Sequence, residues 1–176
     1  TDLIIIPALS GDIGKAIESN QSFIPWMIAQ YENGAEIASL CVGAFLLAST
    51  GLLNGKQCST HWLFANEFRN MFPEVVLVDG SIVTEEQRIY SSGGASSYWN
   101  LLLYLIEKYT DRDTAILASK YFAIDIDRNS QSAFAMFKGQ KSHKDKEILK
   151  AQEYIEKNIH EKISTDELAK ISAIGR

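Results

Sequence analysis

The stretch Ser39-Leu40-Cys41-Val42-Gly43-Ala44-Phe45-Leu46-Leu47-Ala48-Ser49-Thr50-Gly51 changes character at a single residue. Up to Leu40, the run 36–40 reads as a short strand. From Val42 to Thr50, small and apolar side chains fall on every side, which reads as a buried helix stopped by Gly51. Cys41 stands at the junction. A thiol on a tight strand-to-helix turn has the geometry of a nucleophile elbow, lifted above the sheet edge with a helix N-terminus beneath it. Backbone N–H groups and the helix dipole favour an anion there, and Gly43 lets the helix start approach closely. The same pattern also fits a small cysteine that merely fills a strand–helix junction.

Working outward, Leu3–Ile6 is a continuous apolar run closed by Pro7, as expected of a buried parallel strand. Residues 21–33 read as a helix, with Phe23, Trp26, Met27, Gln30 and Tyr31 at helical spacing and Gly34 as its stop. Gln57–Thr60 reads as a strand and 62–71 as an amphipathic helix. Val75–Val78 is a further β-branched run. The turn signal Asp79-Gly80 predicts that it pairs with Ile82–Thr84 in a hairpin. Arg88–Ser91 is a strand broken by Gly93-Gly94, and helices are expected over 97–109 and 113–122. Strands alternating with helices predict an α/β fold: a Rossmann-like (flavodoxin-like) parallel sheet sandwiched by helices.

The 176 residues are enough for one full domain and a small extra piece, and two cysteines make no disulfide framework. A reduced, cytoplasmic setting is the simplest expectation. The longest apolar stretch, Leu101–Ile106, is far short of the roughly 20 residues of a membrane span. The opening residues lack a basic start and a cleavage site and read as a strand entered midway. The expectation is a fragment truncated at both ends. Net charge is −5, which argues against a chain that coats nucleic acid throughout. The balance is uneven: from Lys138 onward nine Lys/Arg face seven Asp/Glu, whereas residues 1–137 hold eight against fifteen. An acidic body with a mildly basic tail predicts two functional parts.

The run 39–56, ending Gly51-Leu52-Leu53-Asn54-Gly55-Lys56, followed by Ser59-Thr60-His61-Trp62, resembles the regulator branch of the ThiJ/PfpI superfamily, which is glutamine-amidotransferase-like. The segments Asp79-Gly80-Ser81-Ile82-Val83-Thr84 and Tyr90-Ser91-Ser92-Gly93-Gly94 resemble its next two blocks. The resemblance runs to about residue 140. It implies a ligand-sensing domain whose pocket is built on Cys41, Val42, His61 and Ser92, the last at the strand-end rim where open α/β sheets bind ligands. The sequence departs from the family in places. Peptidase-like members carry His directly after the nucleophile, where this chain has Val42, so that dyad cannot form. An acidic partner on the first strand would precede residue 1. The oxyanion-binding Pro-Gly-Gly is replaced by Pro7-Ala8-Leu9-Ser10-Gly11, which leaves the Val42 N–H as the expected donor. His61 reads either as a base for Cys41 or as a structural corner with Trp62. Ser92 reads as a ligand contact or as a helix-entry turn residue. Cys58 is expected in the core, His143 and His160 on the surface, and no His/Cys cluster has zinc spacing.

Residues 123–143 lose periodicity and read as a connection. Periodicity returns at 144–158, where Ile148, Leu149, Gln152, Ile155 and Ile159 share a face. Ser164 and Glu167 then form a capping box before Leu168-Ala169. His143-Lys144-Asp145 with this helix and 163–169 resembles the opening of the AraC-type DNA-binding domain. Its recognition helix, the element that reads bases, would begin where the chain stops at Ile174-Gly175-Arg176. The expected domains are therefore a sensor at 1–125, a linker at 126–143 and a partial helix-turn-helix at 144–176. The expected function is transcription regulation by a homodimer that binds a small, nitrogen-containing effector and, through its complete C-terminal domain, DNA. Neither cofactor nor metal is expected. The alternative is a cysteine-dependent hydrolase, amidase or isonitrile-hydratase-like enzyme. A third reading makes Cys41 a redox or electrophile sensor.

Overall fold

The computed structural model describes residues 1–134 and 145–172. The chain divides into two compact units, Thr1–Ala135 and Met136–Arg176. In the first unit, strand β1 (Leu3–Ile6) leads to helix α1 (Ile13–Asn20), a 3-10 turn at Gln21–Phe23, and α2 (Ile24–Glu32). Strand β2 (Glu36–Leu40) then runs into a 3-10 turn, Cys41–Gly43, and α3 (Ala44–Ser49). Next come β3 (Gln57–Cys58), a 3-10 turn at Trp62–Phe64, α4 (Ala65–Met71), β4 (Val76–Leu77), β5 (Val83–Glu86), β6 (Ile89–Ser92), α5 (Tyr98–Tyr109) and α6 (Arg112–Tyr121).

The main sheet has the order β1-β2-β6-β5, and β3 pairs with β4 in a separate two-stranded sheet. β1, β2 and β6 are parallel, and β5 joins β6 antiparallel. Alternation along the strands splits the core in two. Ile4, Ile6, Ile37 and Ile89 face α1, α3 and α4 through Ile13, Ile17, Phe45, Leu47 and Phe68. On the opposite face, Ala38 and Tyr90 meet Leu101 and Leu105 of α5. This is the expected α/β sandwich of helices about a largely parallel sheet.

The expected hairpin between 75–78 and 82–84 does not form. β4 pairs in parallel with β3, and the hairpin is β5–β6. Its turn residues, Gln87 and Arg88, have φ of 50° and 65°, both left-handed, as a twist-matched two-residue turn requires. Asp79-Gly80 instead turns the chain toward residues 129–131: the Gln131 N–H donates to the Gly80 carbonyl at 2.7 Å, and Ser81 bridges Ser130. Residues 126–134, placed in the linker on sequence, thus pack on the first unit. The reason is Gln131, 1% exposed and hydrogen-bonded into its interior. α1 was not expected from sequence. Asp12 caps it by accepting the Lys15 N–H at 2.9 Å, and Ile13 and Ile17 are its buried residues.

In the second unit, α7 (Lys146–Lys157) is capped by Asp145, and α8 (Thr165–Ile171) by Ser164, which accepts the Glu167 N–H at 3.2 Å. The Glu167 carboxylate accepts the Tyr154 hydroxyl of α7 at 2.6 Å and so pins the two helices together. Ile148, Ile155 and Ile159, expected to share one face, are 40%, 39% and 68% exposed. Two short helices do not enclose them. His143 and the expected start of a recognition helix at 174–176 lie outside the described residues.

Candidate functional site

The elbow is present. Cys41 has φ 54°, the left-handed region that a side-chain-bearing residue adopts at a cost. The strain is held by contacts on either side. A Cβ on Gly43 would stand 2.8 Å from the Ile6 carbonyl oxygen and closer still to that of Pro7, so only glycine lets this turn sit against the end of β1. On the other side, the Thr60 hydroxyl donates to the Cys41 carbonyl at 3.1 Å. The thiol itself is partly exposed. Burial pushes it above the ordinary thiol value, an effect that the hydrogen bond from the Val42 N–H only partly offsets. Cys41 is therefore a neutral thiol near pH 7. Val42, the expected oxyanion donor, directs its N–H at this sulfur.

His61 follows Thr60 but is engaged elsewhere. Its Nδ1 accepts the Leu63 N–H at 3.1 Å and caps the Trp62–Phe64 turn, and its ring lies against Trp62 and Phe64. Burial lowers its pKa, so it is neutral, with its proton on Nε2. Among the described residues no hydrogen bond joins His61 to Cys41. Ser92 ends β6 in register with Leu40. It is fully buried, and its Oγ has no hydrogen-bond partner among the described residues. Its neighbour Ser91 is saturated, meeting the Ser59 N–H at 2.7 Å and the hydroxyls of Ser59 and Thr84. Cys58 is a core residue whose thiol burial pushes up to about 12. His160 is exposed. No group of three or more His, Cys, Asp or Glu suited to a metal occurs among the described residues.

The residue that sequence reading missed is Gln131. Its Nε2 donates to the carbonyls of Thr60 (2.8 Å) and Ser81 (3.1 Å), and its Oε1 accepts the Trp62 N–H at 3.2 Å. It thereby clamps the segment that carries Thr60 and His61. The only legible signal was indirect. Gly93 has no side chain because a Cβ there would lie 2.6 Å from the Ser81 oxygen, 2.8 Å from the Thr60 oxygen and closer still to Gln131 Nε2.

A strained cysteine elbow on a three-layer α/β sheet defines the class, and comparison with known proteins agrees. Residues 1–108 match the DJ-1/PfpI family, and the chain belongs to that family. Among curated relatives, it is 28% identical over 170 residues to the HTH-type transcriptional regulator GbdR of Pseudomonas aeruginosa, covering 94% of this chain and 45% of the relative. It is 26% identical over 117 residues to the isonitrile hydratase of Pseudomonas putida, covering 66% of this chain and 49% of that enzyme. The chain thus spans about half the length of the curated relatives it matches. Among solved structures, a putative transcriptional regulator protein from Vibrio parahaemolyticus superposes with a TM-score of 0.60 at 25% identity, covering 69% of this chain and 65% of that one.

Proposed function

We propose that the chain is the sensor body of a transcription regulator, followed by the first helices of an AraC-type helix-turn-helix. The observation that carries this reading is the reach of the likeness to GbdR. It spans 94% of the chain and so takes in sequence beyond residues 1–108, the part matched by the DJ-1/PfpI family, whereas the likeness to the isonitrile hydratase covers 66%. In this reading the sensor is residues 1–125 together with 126–134, which pack on it, and the helix-turn-helix runs from 144. The protein is cytoplasmic and dimeric. Its effector is a small metabolite received at the rim formed by Cys41, Val42, Thr60 and Ser92. The orphaned Ser92 hydroxyl supports a polar ligand there, since a buried polar group without a partner is unfavourable until something supplies one. Effector binding regulates transcription by favouring one of two arrangements of the DNA-binding domains. Among the described residues no helix is long and apolar enough to cross a membrane.

The test is capture of genomic fragments by the complete gene product, with and without metabolite pools. Discrete operator fragments whose occupancy changes with effector are expected. Absence of DNA binding under every effector condition would end this reading. The enzymatic alternative has the elbow and the likeness to isonitrile hydratase in its favour. Against it stand a thiol raised by burial, a His61 occupied with capping and Val42 in the place of the family's histidine. Turnover of an amide or isonitrile that disappears in Cys41→Ala would establish it.

A further inference from the structure

A hollow lies on the α5 side of the sheet, with none of Cys41, Val42, Thr60 or Ser92 in its lining. Between α5, the start of β5 and residues 126–129, the first unit encloses a cleft of about 240 Å3. Its apolar wall is made by Ile82, Val83, Leu103 and Ile126. Its polar groups are unequal. Arg112 is committed to carboxylates, with Glu107 at 2.8 Å and Asp127 at 3.9 Å, so the Glu107 charge is also spent. Arg128 has no carboxylate within ion-pair distance among the described residues. Its guanidinium lies 4.8 Å over the Phe134 ring, donates once to the neutral Ser96 hydroxyl at 3.1 Å, and leaves Nε without a partner. Asn100, 7% exposed, gives its Nδ2 to the Asp125 carbonyl at 2.7 Å, and its Oδ1 has no partner among the described residues.

A planar cation without a counter-ion, a buried acceptor without a donor and an apolar wall thus line one hollow. We propose that this cleft is a binding site for a small branched 2-hydroxycarboxylic acid. The carboxylate pairs with Arg128, whose fork geometry suits it. The 2-hydroxyl donates to Asn100 Oδ1. The hydrocarbon rests on Val83, Leu103 and Ile126. A hydroxyl is favoured over an ammonium at the second position because the nearby Glu107 is already neutralised by Arg112.

The probe is 2-hydroxyisovalerate, titrated into the chain by calorimetry. Isovalerate, which lacks the hydroxyl, and 2-hydroxyisovaleramide, which lacks the charge, are the comparators. One saturable site is expected, weakened about tenfold by loss of charge and about fivefold by loss of the hydroxyl. Arg128→Gln should weaken the acid about tenfold while leaving the amide unchanged. Ile126→Trp, which fills the hollow, should abolish binding with the melting transition and far-ultraviolet dichroism retained. Cys41→Ala should bind as the unaltered chain does. The proposal is overturned by equal affinity for all three compounds, or by no saturable binding below about 10 mM. Binding lost in Cys41→Ala but kept in Arg128→Gln would also overturn it, and would place the ligand at the cysteine rim. None of these readings depends on DNA binding, so failure here is separable from failure of the regulator assignment.

Discussion

The two ends of the central sheet are built on opposite principles. At the amino end, Glu36, Glu85, Tyr90, Tyr104, Lys108 and Tyr109 form one network. Lys108 meets Glu85 at 2.8 Å and Glu36 at 3.8 Å, and three tyrosine hydroxyls donate to the two carboxylates. At the carboxyl end, Cys41, Thr60, Ser92 and Gln131 carry no charge, the backbone is strained at Cys41, and the Ser92 hydroxyl has no partner among the described residues. Satisfied charge closes one end as structure. Strain and an unspent hydroxyl distinguish the other, the end proposed to receive the effector.

The largest way to break the contrast is Gly93→Ala. The new methyl meets two carbonyl oxygens and the Gln131 amide, so the clamp over the rim must shift. A loss of about 3 kcal/mol is expected in urea unfolding. The loss should be less than additive with Gln131→Ala, as a double-mutant cycle would show. Next is Lys108→Met at the charged end, with a loss of about 1–2 kcal/mol. Burial pushes Glu36 and Glu85 upward, but the tyrosine and Lys108 hydrogen bonds and charge outweigh it, so both carboxyls sit below their ordinary value. Their contribution is complete above the unfolded carboxylate pKa and is lost as pH falls through the lower folded values. The acid limb of the stability curve should therefore flatten in Lys108→Met, and an unchanged limb would mean that the network is inert.

At the rim, the rate of Cys41 alkylation should rise with pH along a curve displaced above that of a free thiol. A displacement toward acid would reveal a base that the geometry lacks. The smallest effect compares two adjacent serines. Ser91→Ala removes a shared partner and should cost about 1–2 kcal/mol, whereas Ser92→Ala should be neutral or stabilising by about 0.5 kcal/mol. Equal losses would mean that Ser92 already has a partner.

The elbow was legible because strand, cysteine, glycine and buried helix are contiguous, and local chemistry decides their conformation. Most helices were legible from periodicity. What could not be read depended on distant partners. Asp79-Gly80 carries a hairpin signal, yet the strand after it pairs forward through Gln87-Arg88, residues with no turn signature that are driven to positive φ by the twist of β5 and β6. Gln131 lies in a stretch without periodicity. Its importance comes from three backbone groups far away in sequence, none of which announces that it needs a partner. His61 was left as base or corner, and the geometry shows it capping a turn. The expected apolar face of α7 was read from spacing alone, which finds a stripe but not whether anything covers it.

The carboxylate of Glu167 has a consequence for how the second unit comes apart. A helix whose first turn is fastened only by its own cap frays by itself. α8 is also fastened through a side chain that belongs to α7, so opening its start releases Tyr154 as well. Amide exchange at 165–167 should therefore keep pace with the middle of α7 rather than with solvent-facing helix ends, and Tyr154→Phe should uncouple the two.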